Sequence, residues 1–413
     1  MSPAPDRRGF TFERLLAPMP GESFIKECFE RRPFVQRGEA DRFHDLFRLD
    51  EVDACIAAAP EPTGKGRAAA FGIRTGEGGR EHYTFDDQGP DGRSVIAASR
   101  AYAEGYTIVA NTLRYHHAGA ADLCRSMEQA LQHPVGANLY LTPPSQQGFW
   151  VHADAHDTFL VQIEGAKEWS IWFPEHELPL GECTERGPKP TGPPDLVVEV
   201  TAGDLLYMPH GVWHSGTTGD ALSLHLTFGA IVMTWADLLA AAVRDVARCD
   251  LRMRRCVPIT GAQTDFGLMA GEVWEMAQEL LGEVTTVASQ GGFGETLVRS
   301  ELARRLGVEH PGFEPRLATG IGRHRIGLDD IVETRFGLRP VVTSDDDGAR
   351  LVFAGGYVCG PHDAREAFEF VAAAERFSAG DLPGLPGDYQ LALAHELVLQ
   401  GAVRPVQVTP VVT

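Results

Sequence analysis

The chain has 413 residues, of which 43% are hydrophobic and 23% charged, a composition typical of a folded protein with room for two or three domains. Acidic residues (57) outnumber basic residues (37) and give a formal net charge of −20. This charge disfavours binding to nucleic acid or to an anionic membrane, and it favours a basic polypeptide partner. The sequence has no run of about 18 apolar residues, and its start lacks the apolar segment of a secretory signal. We therefore expect a cytoplasmic protein that does not enter a membrane.

The cysteine and lysine contents further limit the kinds of protein and of site that the sequence can encode. The seven cysteines are scattered and form no CxxC pair, which argues against a disulfide framework and against a structural zinc module. Arginine supplies nearly all of the basic charge, since only four of the 37 basic residues are lysines. A lysine inside a structured motif is therefore of special interest in this chain.

The first part of the chain, to about residue 130, mixes helical and irregular segments. Apolar spacing predicts short helices at 12–16 and 23–29 and a longer helix at 120–132. The stretch 60–92 is rich in glycine and charge and is predicted to be an irregular connection.

Between residues 136 and 229 the pattern changes to short β-rich runs separated by turn residues. The predicted strands are 137–142, 158–163, 168–172, 196–200, 204–208 and 223–228. Many short strands at near-regular spacing favour a sandwich or barrel over a parallel α/β sheet.

After residue 234 the pattern becomes helical. The predicted elements are helices at 237–255, 272–281 and 295–306, a strand at 350–358, and helices at 363–376 and 388–400.

The strongest chemical motif is His152-Ala153-Asp154, which is followed 62 residues later by His214. Residues two apart on a strand point to the same face, so His152 and Asp154 can bind one ion together, with a third ligand from another strand. Two imidazoles and one carboxylate suit a non-haem Fe(II) that keeps open coordination positions. His210 is the rival for the third position, and the alternative for the whole set is buried, hydrogen-bonded histidines.

Residues 136–229 resemble the cupin-type JmjC domain of the ribosomal oxygenases, which are Fe(II)- and 2-oxoglutarate-dependent protein hydroxylases. The matching segments are GANLYLTPPSQQGFWVHADAHDTFLVQIEGAKEW, GDLLYMPHGVWH and SLHLTF. The resemblance implies a double-stranded β-helix (cupin) barrel. It also implies that His152, Asp154 and His214 bind the iron.

The same resemblance implies a set of residues that bind the cosubstrate. Lys167, fifteen residues after the first histidine, matches the basic residue that binds the far carboxylate of 2-oxoglutarate. Asn138 and Tyr140 match the N-x-Y strand that lines the cosubstrate pocket, and Thr158 matches a hydrogen-bonding position nearby. The chain departs from the family at Gly229, where a hydrogen-bonding serine is common.

The flanking segments resemble the family more weakly. The implied α+β organisation is a JmjC/cupin oxygenase domain at 1–233, a helical dimerisation region at 234–310 and a winged-helix-like domain at 311–413. From residue 312 onward the chain carries nine arginines and no lysine against fourteen acidic residues. A protein contact or a structural role is therefore expected of this last domain, and a duplex-reading role is not. The family leads us to expect a homodimer.

The expected function is a dioxygenase that uses Fe(II), 2-oxoglutarate and O2 to hydroxylate a side chain in a protein or peptide. The substrate is a basic polypeptide of the ribosomal-protein kind or the precursor of a peptide natural product, and His156 and Asp157 are candidates to line its entrance. Two alternatives remain open at this point: a non-catalytic JmjC-like and winged-helix regulator, and a zinc or manganese cupin enzyme.

Overall fold

The computed structural model describes residues 9–59, 70–76, 79–85, 95–174, 177–180, 189–257, 266–306, 326–335, 338 and 340–406. Within these residues every paired strand is antiparallel to its neighbours. The chain divides into two units, Met1–Val232 and Met233–Thr413. Both contain helices and antiparallel strands, as expected of an α+β fold.

The first unit contains the predicted β-rich region. Its strands are β1 (Phe34–Gln36), β2 (Ala70–Gly76), β3 (Gly79–Thr84), β4 (Thr107–Ala110), β5 (Val135–Thr142), β6 (His152–Ala153), β7 (Asp157–Trp172), β8 (Leu196–Thr201), β9 (Leu205–Met208), β10 (Trp213–Thr217) and β11 (Ser223–Ala230). Its helices are α1 (Phe12–Leu16), α2 (Gly21–Glu27), α3 (Val52–Ala58), α4 (Val95–Ala103) and α5 (Ala118–Leu131). The predicted helices near residues 12, 23 and 120 are confirmed as α1, α2 and α5.

Strand β7 is the centre of this unit because it belongs to two sheets. Its first half lies between β9 and β11 in the order β1-β9-β7-β11-β5-β4-β2-β3, and its second half lies between β8 and β10, which also pairs with β6. The sequence predicted two separate strands here. They are one strand because Gly165, with φ of +67°, bends the backbone without ending it.

The prediction of an irregular connection at 60–92 is wrong for part of that stretch. Strands β2 and β3 form a hairpin there, and β2 also pairs with β4 at the edge of the large sheet. The first four residues of β2 are all buried, so Ala70, Phe71 and Ile73 supply enough apolar surface to hold the strand in place despite the flanking glycines and charges. Other parts of this stretch lie outside the described residues.

The second unit begins with three helices, α6 (Trp235–Cys249), α7 (Phe266–Ala288) and α8 (Phe293–Leu306). It continues with strands β12 (Ile331–Thr334), β13 (Val341–Asp345), β14 (Gly348–Phe353), β15 (Gly356–Gly360), β16 (Arg376–Ser378) and β17 (Val403–Pro405), and with helices α9 (Arg365–Ala373) and α10 (Gly387–Gln400). The predicted single strand at 350–358 is two strands, because Gly355 at φ of +73° turns the chain back between β14 and β15. The predicted boundary at 310/311 lies outside the described residues.

In the part of the chain that the structure describes, none of the helices has the length and apolar character that crossing a membrane requires.

A buried ion pair anchors β5 to α5. One guanidinium nitrogen of Arg114 lies 2.6 Å from Glu128 Oε1 and also donates to the Val135 carbonyl, while the Val135 amide donates to the same Glu128 oxygen at 2.9 Å. Arg114 and Glu128 are 6% and 1% exposed. This contact fixes the first residue of the strand that carries Asn138 and Tyr140.

We expect Glu128→Ala to lower the free energy of unfolding by about 3–5 kcal/mol, because it leaves the Arg114 guanidinium buried without its carboxylate. Urea denaturation of the full chain measures this loss. The double variant Arg114→Met/Glu128→Leu is the control, since it removes both charges and should be less destabilised than Glu128→Ala. A double variant that is as unstable as the single one would show that the charge itself is not the cause.

Candidate functional site: a metal-ligand triad beside a buried lysine

The strands of the first unit enclose a cavity of about 620 Å³. Alternate residues of three neighbouring strands face it, because side chains two apart on a strand share a face. These residues include Asn138 and Tyr140 of β5, Thr158 and Leu160 of β7, and His225 and Thr227 of β11. The register pairs Asn138 with Thr227 and Thr227 with Leu160, so the three strands present one continuous wall.

The structure brings the three predicted metal ligands together in this cavity. His152 on β6 and His214 on β10 are direct partners across an antiparallel pair, and Asp154 follows immediately after β6. His214 Nε2 lies 3.6 Å from Asp154 Oδ2, and His152 Nε2 lies 4.0 Å from Asp154 Oδ1. One donor atom from each residue falls within 4.8 Å of the others, which suits a single ion.

Backbone carbonyls fix the tautomers of both histidines. His152 Nδ1 lies 2.7 Å from the Trp150 carbonyl, and His214 Nδ1 lies 3.0 Å from the Val212 carbonyl. A carbonyl oxygen only accepts, so each Nδ1 carries the proton and each Nε2 keeps its lone pair. Both lone pairs are thus available on the side that faces Asp154, which is the arrangement a metal ion requires.

Burial keeps His214 in the ligating protonation state. The pKa of His214 is lowered to about 4, first by burial and then by the neighbouring His152, so its imidazole is neutral near pH 7. Burial alone would raise the pKa of Asp154, but the surrounding histidines hold it below its usual value. Two neutral imidazoles and one carboxylate are the form that binds a divalent metal.

Lys167 lies in the same cavity and is 5% exposed. Its Nζ donates to Thr142 Oγ1 at 3.0 Å and sits 5.4 Å from the centre of the Trp169 ring. Among the residues that the structure describes, no carboxylate pairs with it, and burial lowers its pKa to about 7. A buried amine with unused N–H donors fits one end of a dicarboxylate.

Three further residues of this region were not singled out from the sequence. The His225 imidazole stacks on the Tyr140 ring at 4.9 Å between ring centres, and the Trp169 ring meets it edge-on at 5.6 Å. The pKa of His225 lies well below its usual value because of burial and the nearby Lys167. At Gly216 a Cβ would come within 2.9 Å of the Lys167 chain, so glycine makes room for the lysine. Strand alternation was the available signal for Trp169, since it lies two residues after Lys167 on a predicted strand.

The predicted cosubstrate residues Asn138, Tyr140 and Thr158 all face the cavity. The Asn138 side-chain oxygen accepts from the Thr112 amide at 3.0 Å, which holds its amide group in place. Thr158 Oγ1 lies 3.3 Å from both Asp154 Oδ2 and His156 Nδ1. Thr158 therefore contacts a predicted metal ligand directly.

His156 takes the space that a side chain at position 229 would need. A Cβ at Gly229 would lie 2.9 Å from two ring atoms of His156, and both residues line the cavity. The departure from serine at this position is thus matched by an imidazole brought in from the neighbouring segment. Asp157, the other residue considered for the substrate entrance, is completely buried and is not among the described residues that line the cavity.

His210, the rival third ligand, is not part of the triad, because its side chain contacts Asp157 instead. Its backbone N–H and its Nδ1 lie 2.7 and 3.1 Å from Asp157 Oδ1, and it is 4% exposed. The preference for His214 over His210 therefore agrees with the geometry.

Comparison with known proteins identifies a domain family and several similar proteins. Residues 109–238 match the JmjC domain family. The chain is 28% identical to Ribosomal oxygenase 1 of Danio rerio over 62% of its own length and 47% of that protein. It is 30% identical to the Homo sapiens Ribosomal oxygenase 1 over 60% of its own length and 39% of that protein. It therefore spans less than half the length of these curated relatives.

Solved structures show the same fold over a larger part of the chain. The structure of the Escherichia coli ribosomal oxygenase YcfD in complex with cobalt and 2-oxoglutarate matches with a TM-score of 0.58 and 15% identity, over 94% of this chain and 99% of that one. At this identity the likeness concerns the fold. The chain thus contains a JmjC domain in an α+β cupin fold, and its resemblance to the ribosomal oxygenases is confirmed.

Proposed function

We propose that this protein is an Fe(II)- and 2-oxoglutarate-dependent dioxygenase that hydroxylates a side chain of a protein or peptide. The observation that carries the proposal is the meeting, in one cavity, of three metal-ligating side chains and a buried lysine that has no described counter-charge. His152, Asp154 and His214 hold the iron, and Lys167 binds the far carboxylate of 2-oxoglutarate. Asn138, Tyr140 and Thr158 complete the cosubstrate pocket.

With iron, 2-oxoglutarate and O2 bound, the chemistry supplied is the insertion of one oxygen atom into a C–H bond, with succinate and CO2 as coproducts. The side chains of this protein bind the metal and the cosubstrate and orient them. The Trp150 and Val212 carbonyls keep both imidazoles in the ligating tautomer, and Thr158 holds one oxygen of Asp154. The Lys167 ammonium fixes the cosubstrate at the end of the cavity lined by Trp169 and His225, and the apolar and aromatic wall limits access of water.

The proposed substrate is a basic polypeptide. The net charge of −20 supports this class, because an acidic protein attracts a basic partner and repels nucleic acid. Relatives named as ribosomal oxygenases and, in Drosophila persimilis, as a bifunctional lysine-specific demethylase and histidyl-hydroxylase support a protein as the substrate. A ribosomal protein and a basic precursor of a peptide natural product both fit.

The second unit is proposed to contain a helical dimerisation region at 234–310 and a winged-helix-like domain at 311–413. The exposed apolar side chains of Trp235 (81%) and Leu239 (65%) on α6 support a homodimer. The acidic balance after residue 312 supports a protein contact over a nucleic-acid contact. We propose that the protein acts in the cytoplasm, since its scattered cysteines suit a reducing compartment.

We expect His152→Ala to abolish succinate formation from 2-oxoglutarate under air with Fe(II), because it removes a metal ligand. Lys167→Ala should weaken 2-oxoglutarate binding to the Mn(II)-loaded protein by about 10- to 100-fold, as the loss of a hydrogen bond to a charged group implies. Isothermal titration calorimetry measures the binding without any substrate. Lys26→Ala, at an exposed lysine, is the matched control and should bind normally.

Failure to bind 2-oxoglutarate and failure to bind metal would have different meanings. Wild-type protein that binds metal and no 2-oxoglutarate would favour a zinc or manganese cupin enzyme. Wild-type protein that binds neither would favour the non-catalytic regulator.

The low pKa of Lys167 predicts that 2-oxoglutarate binding is linked to proton uptake. Below pH 7 the amine is already charged and the affinity should be flat, whereas above pH 7 it should fall by up to about tenfold per pH unit, because the amine must first take up a proton. Calorimetry at pH 8.5, in buffers of different ionisation enthalpy, should therefore detect uptake of about one proton. Lys167→Arg should remove the linkage, since a guanidinium stays charged in this range. An unchanged linkage in that variant would assign the proton to another group.

We expect the active enzyme to add 16 Da to basic proteins. Purified ribosomal proteins incubated with enzyme, Fe(II) and 2-oxoglutarate should acquire this mass, as detected by mass spectrometry, while acidic proteins of similar size should not. The reaction should slow as salt is raised, because screening weakens attraction by the acidic surface. Equal labelling of acidic and basic proteins would contradict this substrate class.

A further inference from the structure

A second group of ionisable side chains lies beside the triad, and the proposed mechanism leaves it unused. It consists of Glu30, Asp157 and His210, whose donor atoms fall within 4.8 Å of one another. Asp157 and His210 are 0% and 4% exposed, so a carboxylate and an imidazole are kept out of water at this point. Burying a carboxylate or an imidazole costs free energy unless the group is hydrogen-bonded.

The hydrogen bonds of this group join the two segments that carry the proposed ligands. Asp157 lies three residues after Asp154, and His210 lies four residues before His214. The Asp157 Oδ1 atom accepts from the His210 backbone N–H at 2.7 Å and from its Nδ1–H at 3.1 Å. In addition, the Gly211 N–H donates to the Asp154 carbonyl at 2.8 Å. Three hydrogen bonds therefore tie the turn before His214 to the segment that follows His152.

The surroundings hold Asp157 in this role. Tyr207 lies nearby, and its pKa is raised, first by burial and then by the negative charge of Asp157. The Tyr207 hydroxyl accepts from the Glu30 backbone N–H at 2.7 Å, which fixes its position. Two donors from His210 thus occupy Asp157 Oδ1, so this oxygen is engaged as a hydrogen-bond acceptor.

We propose that the Asp157–His210 pair positions His214 against Asp154 and so sets the geometry of the metal site. The inference rests on the proposed function, because it assumes that His152, Asp154 and His214 bind the metal. The pair touches neither metal nor cosubstrate, so both are positioning residues. Without the side-chain bond, the turn is attached to the opposite segment only by its backbone contacts, and the 3.6 Å approach of His214 Nε2 to Asp154 is no longer enforced.

The test uses Co(II) alone as the probe, with the full chain. His210→Ala is expected to weaken Co(II) binding by about 10- to 100-fold, as the loss of an outer hydrogen bond to a metal site does. It should also change the visible absorption spectrum of the bound Co(II), which reports coordination geometry. His210→Asn, whose amide N–H can still reach Asp157, should recover most of the affinity and the wild-type spectrum.

A matched control separates positioning from general destabilisation. Leu123→Ala removes a fully buried side chain of α5 that is not among the described residues lining the cavity. It should lower the melting temperature and leave the Co(II) affinity and spectrum unchanged. If His210→Ala is not folded by circular dichroism, Asp157→Asn makes the same comparison, with a loss of affinity again expected.

Each remaining outcome overturns the inference in a distinct way. Wild-type affinity and spectrum in folded His210→Ala would show that the pair serves stability alone. Two Co(II) ions per wild-type chain, with one lost in His210→Ala, would show that Glu30, Asp157 and His210 are themselves a metal site. Wild-type protein that binds no Co(II) would overturn the proposed function as well. This result is seen in the wild type alone, so it is distinct from the effect of any variant.

Discussion

The bend of strand β7 at Gly165 is the constraint on which the cavity depends. At φ of +67° a Cβ would lie 1.8 Å from the Leu222 carbonyl oxygen, so only glycine allows this backbone. The paired strand β11 carries an irregularity in its register between Leu224 and His225, close to the same place. Because the strand bends and continues, its two halves join different sheets, and Thr158 in the first half faces the same cavity as Lys167 in the second.

The cavity contains a negative group, Asp154, and a positive group, Lys167, which complement the charges of a divalent metal and a dicarboxylate. Lys167 is buried and Asp154 is half-buried, and neither pairs with the other in the described structure. Unpaired buried charges cost stability, and proteins keep them chiefly where a ligand is bound. A metal dication and a dicarboxylate dianion sum to zero charge, so loading both would complement each protein charge without adding a net one. The charges of the triad and of the lysine therefore complement the two ligands together, which explains why they occur in the same cavity.

The sequence predicted the chemistry of the site better than its architecture. Strand alternation, which is a local rule, placed His152 and Asp154 on one face. The role of Lys167 was predicted from the resemblance to the ribosomal oxygenases. The pairing of β2 with β4 and the continuity of β7 were missed, since both depend on contacts between distant segments that override local glycine and charge. His210 shows the same limit: its position in the turn was visible, whereas its bond to Asp157, 53 residues away, was not.

The acidic surface attracts cationic partners, whereas the cavity of the proposed enzyme binds an anion. The position of lysine in the cavity allows both. A net charge of −20 attracts a basic polypeptide, but it also repels a dianion such as 2-oxoglutarate. Two of the four lysines in the chain, Lys167 and Lys189, line this cavity, with Lys189 Nζ 5.3 Å from the centre of the Trp150 ring. Local positive charge acts over a few ångströms, whereas the field of the exposed surface is screened beyond about 8 Å at physiological salt. In the proposed function, the acidic surface attracts the basic substrate, whereas Lys167 inside the cavity binds the anionic cosubstrate.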